Sequence, residues 1–111
     1  MQKVLAGTNM KEYELYVPMV SKQGKRLPEK ELKRLKERLV AQFGGLTHFP
    51  QKTKGAWKMG QATFFDEIII LRVLTEETRA AQSFWAKLKK ELQHAWKQKH
   101  ILIIVRDVNS V

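Results

Sequence analysis

The feature that most constrains the fold is a change in the spacing of apolar residues, which occurs in each half of the chain. Residues 11–20 (KEYELYVPMV) alternate between the two sides of an extended chain, which is the period of a strand with one buried face. Residues 28–43 then carry apolar side chains at helical spacing, and Pro28 suits the first turn. Gly44 and Gly45 follow, and glycine ends helices because it enters the left-handed conformation without a side-chain clash.

The second half repeats this change of period. Residues 61–74 (QATFFDEIIILRVL) form the longest strand candidate, and the unbroken apolar run at 68–71 predicts a central strand. We expect the next helix to use Thr75 as its N-cap, and residues 100–108 to supply the last strand. Between the halves, residues 46–50 predict a short strand closed by Pro50, and residues 51–61 predict a turn.

Together these segments predict a strand–helix–strand unit that occurs near residues 11–50 and again near 61–108. The fold class expected from this order is α+β: a ferredoxin-like βαββαβ arrangement, in which a four-stranded antiparallel sheet carries two helices on one face. The first and third strands should lie in the centre. Residues 1–10 are interpreted as a loose N-terminal leader, 11–108 as a single domain and 109–111 as a tail.

Charge and composition narrow the classes of function. The chain of 111 residues has a net charge of +10 and no cysteine, which excludes disulfides and thiolate metal sites and favours a reducing cytoplasm. Its apolar runs are too short to cross a membrane. No spacing of the three histidines suits a metal, and no cofactor is expected.

The basic residues collect on the two predicted helices and on the turn between the halves. A concentrated positive field attracts polyanions, so we expect a non-enzymatic accessory module that contacts nucleic acid or a nucleoprotein assembly. The alternative is a charged surface that serves solubility, and Trp57 could equally close the end of a small core. The expected contacts are Lys33, Arg34, Lys52, Lys54, Trp57, Lys58, Lys90 and Lys97.

A small enzyme, such as a nuclease, is a second hypothesis. His48 would be the general base, and Asp66 or Glu67 would orient it if strand pairing brought them together. Asp66 and Glu67 point to opposite faces of a strand, so they cannot act as a carboxylate pair. The acids could instead mark the exposed start of the strand or balance a nearby cation.

The sheet face without helices raises a third hypothesis. Val17, Met19 or their neighbours, with the aromatic residues and isoleucines of the third strand, would make that face too apolar for water. A homodimer or a partner protein would cover it. The protein would then be a protein–protein interaction subunit.

A set of short segments resembles a group of small bacterial proteins. The segments are YELYVP at 13–18, FGGLT at 43–47, GAW at 55–57, DE at 66–67 and RDV at 106–108. The resemblance extends over nearly the whole chain. It implies the ferredoxin-like fold and no particular activity.

Overall fold

Four strands and two helices follow one another in the predicted order. A computed structural model describes residues 9–111. The sheet is antiparallel, with the strand order β2-β3-β1-β4, so the first and third strands are central as predicted. The elements are β1 (Asn9–Val20), α1 (Glu29–Phe43), β2 (Thr47–Met59), β3 (Ala62–Glu76), α2 (Arg79–Ala95) and β4 (Ile103–Asn109). The predicted leader lies mostly outside the described residues, and its last two residues belong to β1.

The main core lies between the helices and one face of the sheet. Alternate residues of β1 and β3 point into it, and Leu15 and Leu71 have no exposed surface. The helices contribute Leu39 and Leu88, which are equally buried because apolar residues recur on one side of each helix. Both helices therefore pack on the same side of the sheet, which confirms the ferredoxin-like arrangement.

The ends of the helices follow their local chemistry. Gly44 adopts a left-handed conformation (φ 86°) at the end of α1, and its N–H donates to the carbonyl of Val40 at 2.7 Å. At the start of α2 the cap is Thr78, whose hydroxyl accepts from the N–H of Ala81. The prediction of Thr75 as the N-cap was wrong, because Thr75 still pairs with Lys11 in the sheet.

The hairpin between the two halves differs most from expectation. β2 continues through Pro50 to Met59, so the predicted turn at 51–61 is largely strand, and the chain reverses at Gly60 and Gln61. Pro50 is tolerated because β2 is an edge strand, where a missing N–H need not break a ladder. The register shifts between Lys52 and Ala56, where residues 53–55 stand opposite Asp66 alone. This bulge bends the outer part of the hairpin.

Neither described helix is long and apolar enough to cross a membrane, within residues 9–111.

Candidate functional site

The sheet face opposite the helices, here called the open face, carries a second apolar cluster. Val17 and Met19, which were expected on this face, instead point into the main core. The five buried members of the cluster come from β1 and β3, and partly buried residues from β2 and from the chain around β4 surround them. The buried members are Tyr16, Ala62, Phe64, Ile68 and Ile70; the partly buried ones are Phe49, Trp57, Met59, Leu102 and Ile104.

Next to this apolar cluster lie four charged side chains, which we call the Glu–Arg cluster: Glu12, Glu14, Arg72 and Arg106. The sheet register brings them together, because Glu14 stands opposite Arg72 on β3 and Glu12 stands opposite Arg106 on β4. Arg72 donates to one oxygen of Glu14 from Nε at 3.0 Å and from its terminal nitrogen at 2.7 Å. Arg106 donates to the other oxygen at 2.8 Å, and both arginines also pair with Glu12.

Glu14 is the buried centre of this cluster, with 4% of its surface exposed. Burial alone would raise the pKa of its carboxyl, but hydrogen bonds from Arg106 and Arg72 outweigh burial and hold the pKa below its usual value. The hydrogen bond with Glu14 also raises the pKa of Arg106. The carboxylate is therefore ionised at neutral pH and supplies a fixed negative charge.

The arginines of the cluster are partly exposed, whereas its glutamates are largely buried. The side chains of Arg72 and Arg106 are 37% and 47% exposed. The Arg72 guanidinium lies over the ring of Phe49, 4.6 Å from its centroid. Guanidinium N–H groups bind carboxylates, and carboxylate oxygens accept from ammonium groups. The arrangement can thus hold a zwitterion beside aromatic rings.

The structure does not bring His48 to either predicted acid. His48 stands opposite Leu71 on the sheet, and its Nδ1 lies 2.9 Å from the Lys36 ammonium. Burial and the Lys36 charge lower the pKa of His48, so its ring is neutral and accepts that hydrogen bond. Glu67 stands opposite Lys52, four residues further along β2, which is roughly 13 Å along a strand. The proposed base and its orienting acid are therefore not assembled.

The two acids have other roles. Glu67 forms an ion pair with Arg26, whose hydrogen bond lowers the pKa of Glu67. Asp66 is exposed at the bulge, where its backbone is left-handed (φ 60°) and its carbonyl accepts from the Thr53 hydroxyl at 2.6 Å. Among residues 9–111, no group of His, Asp and Glu could hold a metal ion.

The residues predicted to contact nucleic acid lie on three separate elements. Lys33 and Arg34 are on α1, Lys90 is on α2 and Lys97 follows that helix. The three lysines of β2, at positions 52, 54 and 58, lie along an edge of the sheet. Trp57 packs on Phe64 with the ring centroids 4.9 Å apart, as part of the apolar cluster on the open face.

The likeness of this chain to known proteins lies in structure and not in sequence. No model of a protein family matches the chain, and no curated protein matches its sequence. Among solved structures, the chain is similar to a phage SAM lyase in complex with S-methyl-5'-thioadenosine. The identity is 11% and the TM-score 0.59, over 99% of this chain and 95% of the lyase. This likeness supports the ferredoxin-like fold.

The prediction of a basic, non-enzymatic module that contacts nucleic acid is wrong. A solved structure that shares the fold over nearly its whole length is a phage SAM lyase in complex with S-methyl-5'-thioadenosine. In addition, the predicted contact residues are spread over α1, α2 with the turn after it, and β2.

Sequence reasoning missed the Glu–Arg cluster. The alternation of β1 already placed Glu12 and Glu14 on one side, and the same alternation placed Arg72 between the core residues Leu71 and Val73. Two acids at a spacing of two residues on a central strand are a signal for cations on the neighbouring strands. Choosing Arg72 and Arg106 as those cations requires the register, which the sequence does not contain.

Proposed function

We propose that this protein is a small enzyme that binds S-adenosylmethionine, or a closely related adenosyl amino acid, on the open face. The observation that carries the proposal is the buried Glu14 carboxylate, held between arginines of two flanking strands beside aromatic side chains. The fold likeness to a lyase that holds S-methyl-5'-thioadenosine supports the same class of ligand.

The chemistry of the ligand matches the chemistry of the face. S-adenosylmethionine has an amino-acid end with a carboxylate and an ammonium group, a positively charged sulfonium and an adenosine. The exposed guanidinium groups of Arg72 and Arg106 suit the carboxylate, and the oxygens of Glu12 suit the ammonium. The partly exposed ring of Phe49, which lies beside Arg72, offers apolar surface for the adenine.

The reaction in this proposal releases S-methyl-5'-thioadenosine. The carboxylate of the amino-acid end attacks the carbon bonded to the sulfonium sulfur and closes a cyclic ester (a lactone). The carbon–sulfur bond breaks in the same step, and its electron pair stays on sulfur, which becomes a neutral thioether. The positive charge at sulfur is lost in this step, so the protein needs chiefly to hold the amino-acid end in a reactive geometry. A clamp of two arginines on the carboxylate can do this.

Binding and turnover test the proposal. We expect S-methyl-5'-thioadenosine to bind in calorimetry, and chromatography to show its release from S-adenosylmethionine above the rate without protein. Arg106→Gln should weaken binding of S-adenosylmethionine at least about tenfold, because a charged hydrogen bond to the ligand is lost. The Arg38→Gln variant is the matched control, since Arg38 pairs with Glu91 on the helix side. The proposal would be contradicted if neither S-adenosylmethionine nor S-methyl-5'-thioadenosine bound. It would also be contradicted if the two variants weakened binding equally.

We also propose that a second copy of this chain covers the apolar cluster of the open face and leaves the exposed side of the Glu–Arg cluster accessible to the ligand. Apolar side chains such as Ile104 and Leu102 are only partly buried there. The two acids and two arginines of the Glu–Arg cluster balance, so this face lacks the positive excess that would keep two copies with a net charge of +10 apart. The open face is thus the part of the described surface best suited to self-association.

The oligomeric mass tests this second proposal. We expect sedimentation to give at least twice the chain mass of 13.0 kDa at micromolar concentration. Ile104→Lys should shift the protein to the monomer, because it places an uncompensated charge in the interface. Val105→Lys is the control, since Val105 lies on the same strand and faces the other way. A monomer at every concentration would contradict self-association.

A further inference from the structure

A second candidate site lies at the end of the sheet where β1 leads into α1 and where α2 ends. Two adjoining cavities occupy this place, with volumes of about 350 and 330 Å³. Both are lined by the same five residues from the chain after β1 and after α2: Ser21, Gln23, Trp96, Lys97 and Gln98. We call the two cavities together the basic cleft.

The basic cleft has an excess of positive side chains. Its larger cavity is lined by Lys22, Lys97, Lys99 and His100 and by no carboxylate. The smaller cavity is lined by Lys25, Arg26 and Lys97 and by one carboxylate, Glu31. A neighbouring cavity of about 290 Å³ adds Lys89 and again has no carboxylate in its lining. In the part of the chain that the structure describes, these lysines take part in no ion pair, unlike Arg26, Arg38, Arg72 and Arg106.

The turn that carries two of these lysines is held in a fixed shape. Lys97 has a left-handed backbone (φ 51°), which is unusual for a residue with a side chain. The N–H of Gln98 donates to the carbonyl of Gln93 at 3.1 Å, and the Gln93 amide donates to the carbonyl of Lys99 at 2.7 Å. The positions of the lysine backbones are thus set before any ligand arrives, which lowers the entropy cost of binding.

We propose that the basic cleft binds a small molecule with two or more linked phosphate groups, either a free polyphosphate or a nucleoside polyphosphate. Three lysines line the larger cavity without a carboxylate, and such a lining suits an anion of this kind. Phe65 and Trp96 add aromatic surface to the wall, against which a nucleobase could stack. Cationic S-adenosylmethionine does not match this charge, so the site is separate from the open face.

The two sites are also distant from each other. The lining residue of the cleft on β1 is Pro18, whereas the Glu–Arg cluster is centred on Glu14. The four-residue step from Glu14 to Pro18 is roughly 13 Å along the strand. A ligand in the cleft can therefore be tested without occupying the Glu–Arg cluster.

Titration calorimetry at low ionic strength tests the proposal with four probes: pyrophosphate, tripolyphosphate, ATP and adenosine. We expect the three phosphate compounds to bind and adenosine alone to bind at least about tenfold more weakly than ATP, since the phosphates supply the charge contacts. ATP binding more tightly than tripolyphosphate identifies a nucleotide site, and equal affinities identify a site for the phosphate chain. No binding of any phosphate compound overturns the proposal.

Two double variants separate a defined site from attraction to the net charge. Lys22→Gln with Lys99→Gln should weaken pyrophosphate binding at least about tenfold, because two charged contacts are removed. Lys33→Gln with Lys90→Gln removes the same charge elsewhere and should change affinity less than about twofold. Equal losses in both overturn the proposal. If the first variant does not fold, NMR chemical shifts of the backbone amides of the unmodified protein are recorded as pyrophosphate is added. Shift changes confined to residues 21–25 and 96–100 support the cleft. Shift changes spread over the whole surface overturn it.

Discussion

Replacing Trp85 with alanine should lower the free energy of unfolding by about 4 kcal/mol, the largest effect we expect of a single substitution. Trp85 is 4% exposed and links α2 to β1 in the sheet and to the neighbouring helix α1. Its ring stacks on Tyr13 of β1 with centroids 4.8 Å apart and on Phe43 of α1 at 5.6 Å. Alanine would leave a large cavity between these rings, and a domain of this size has a total stability of about 5–15 kcal/mol.

Trp85→Phe is the matched variant for this prediction. The indole Nε1 of Trp85 is buried and has no hydrogen-bond partner within the described residues, so phenylalanine removes an unsatisfied donor while keeping most of the stacking. Denaturant unfolding of both variants gives the comparison. We expect the phenylalanine variant to lose less than half of what the alanine variant loses. Equal losses would show that the ring contacts do not set the stability of this core.

Glu14→Ala is the second prediction with a large effect, a loss of about 2 kcal/mol at neutral pH. Removal of one member of a buried ion pair costs about 3–5 kcal/mol when the remaining charge cannot reach water. Arg72 and Arg106 are more than a third exposed and can turn outwards, which reduces the loss. Glu91→Ala is the control, because its partner Arg38 is on the surface and the pair should matter little.

The dependence of this loss on pH follows from the lowered pKa of Glu14. The unfolded-state pKa is about 4.5 and the folded-state pKa lies below it, so the unfolded chain takes up the proton first as the pH falls. The stabilising contribution of Glu14 is therefore complete above pH 4.5 and is lost as the pH falls through the folded-state pKa. Unfolding at a series of pH values should show the gap between the unmodified protein and Glu14→Ala narrowing in that range. If the stability difference between the two proteins did not change with pH, the charge of the Glu14 carboxylate would not be the source of its stabilising effect.

Much of the fold could be predicted from residue spacing. The alternation in β1, the apolar run at 68–71 and the Gly44–Gly45 helix end gave the order of elements and the central position of β1 and β3. The errors fell where neighbours decide the outcome. Pro50 would end a strand only where its nitrogen faced a neighbouring strand that needed an N–H donor, and β2 continues through it. Thr75 could cap a helix only if it were outside the sheet, but it pairs with Lys11.

The candidate sites could be predicted less well. Charge density along the chain drew attention to the lysines of β2, which lie on an edge of the sheet. Expected strand pairing with Asp66 or Glu67 drew attention to His48, which the fold instead places beside Lys36. In the alternating pattern of β1, Glu14 stands at a polar position and looks like an exposed strand residue. Its burial results from two arginines 58 and 92 positions away.

The sequence by itself determined the order of the elements and which residues of a strand share a side, because these follow from local repeats of two residues in a strand and about 3.6 in a helix. The tertiary structure alone decided which residues meet across strands. A shift of the register by one residue would turn every side chain of a strand to the other face. The Glu–Arg cluster and the basic cleft exist because pairing and turn geometry, set by the packing of the whole domain, bring together residues that are far apart in the chain.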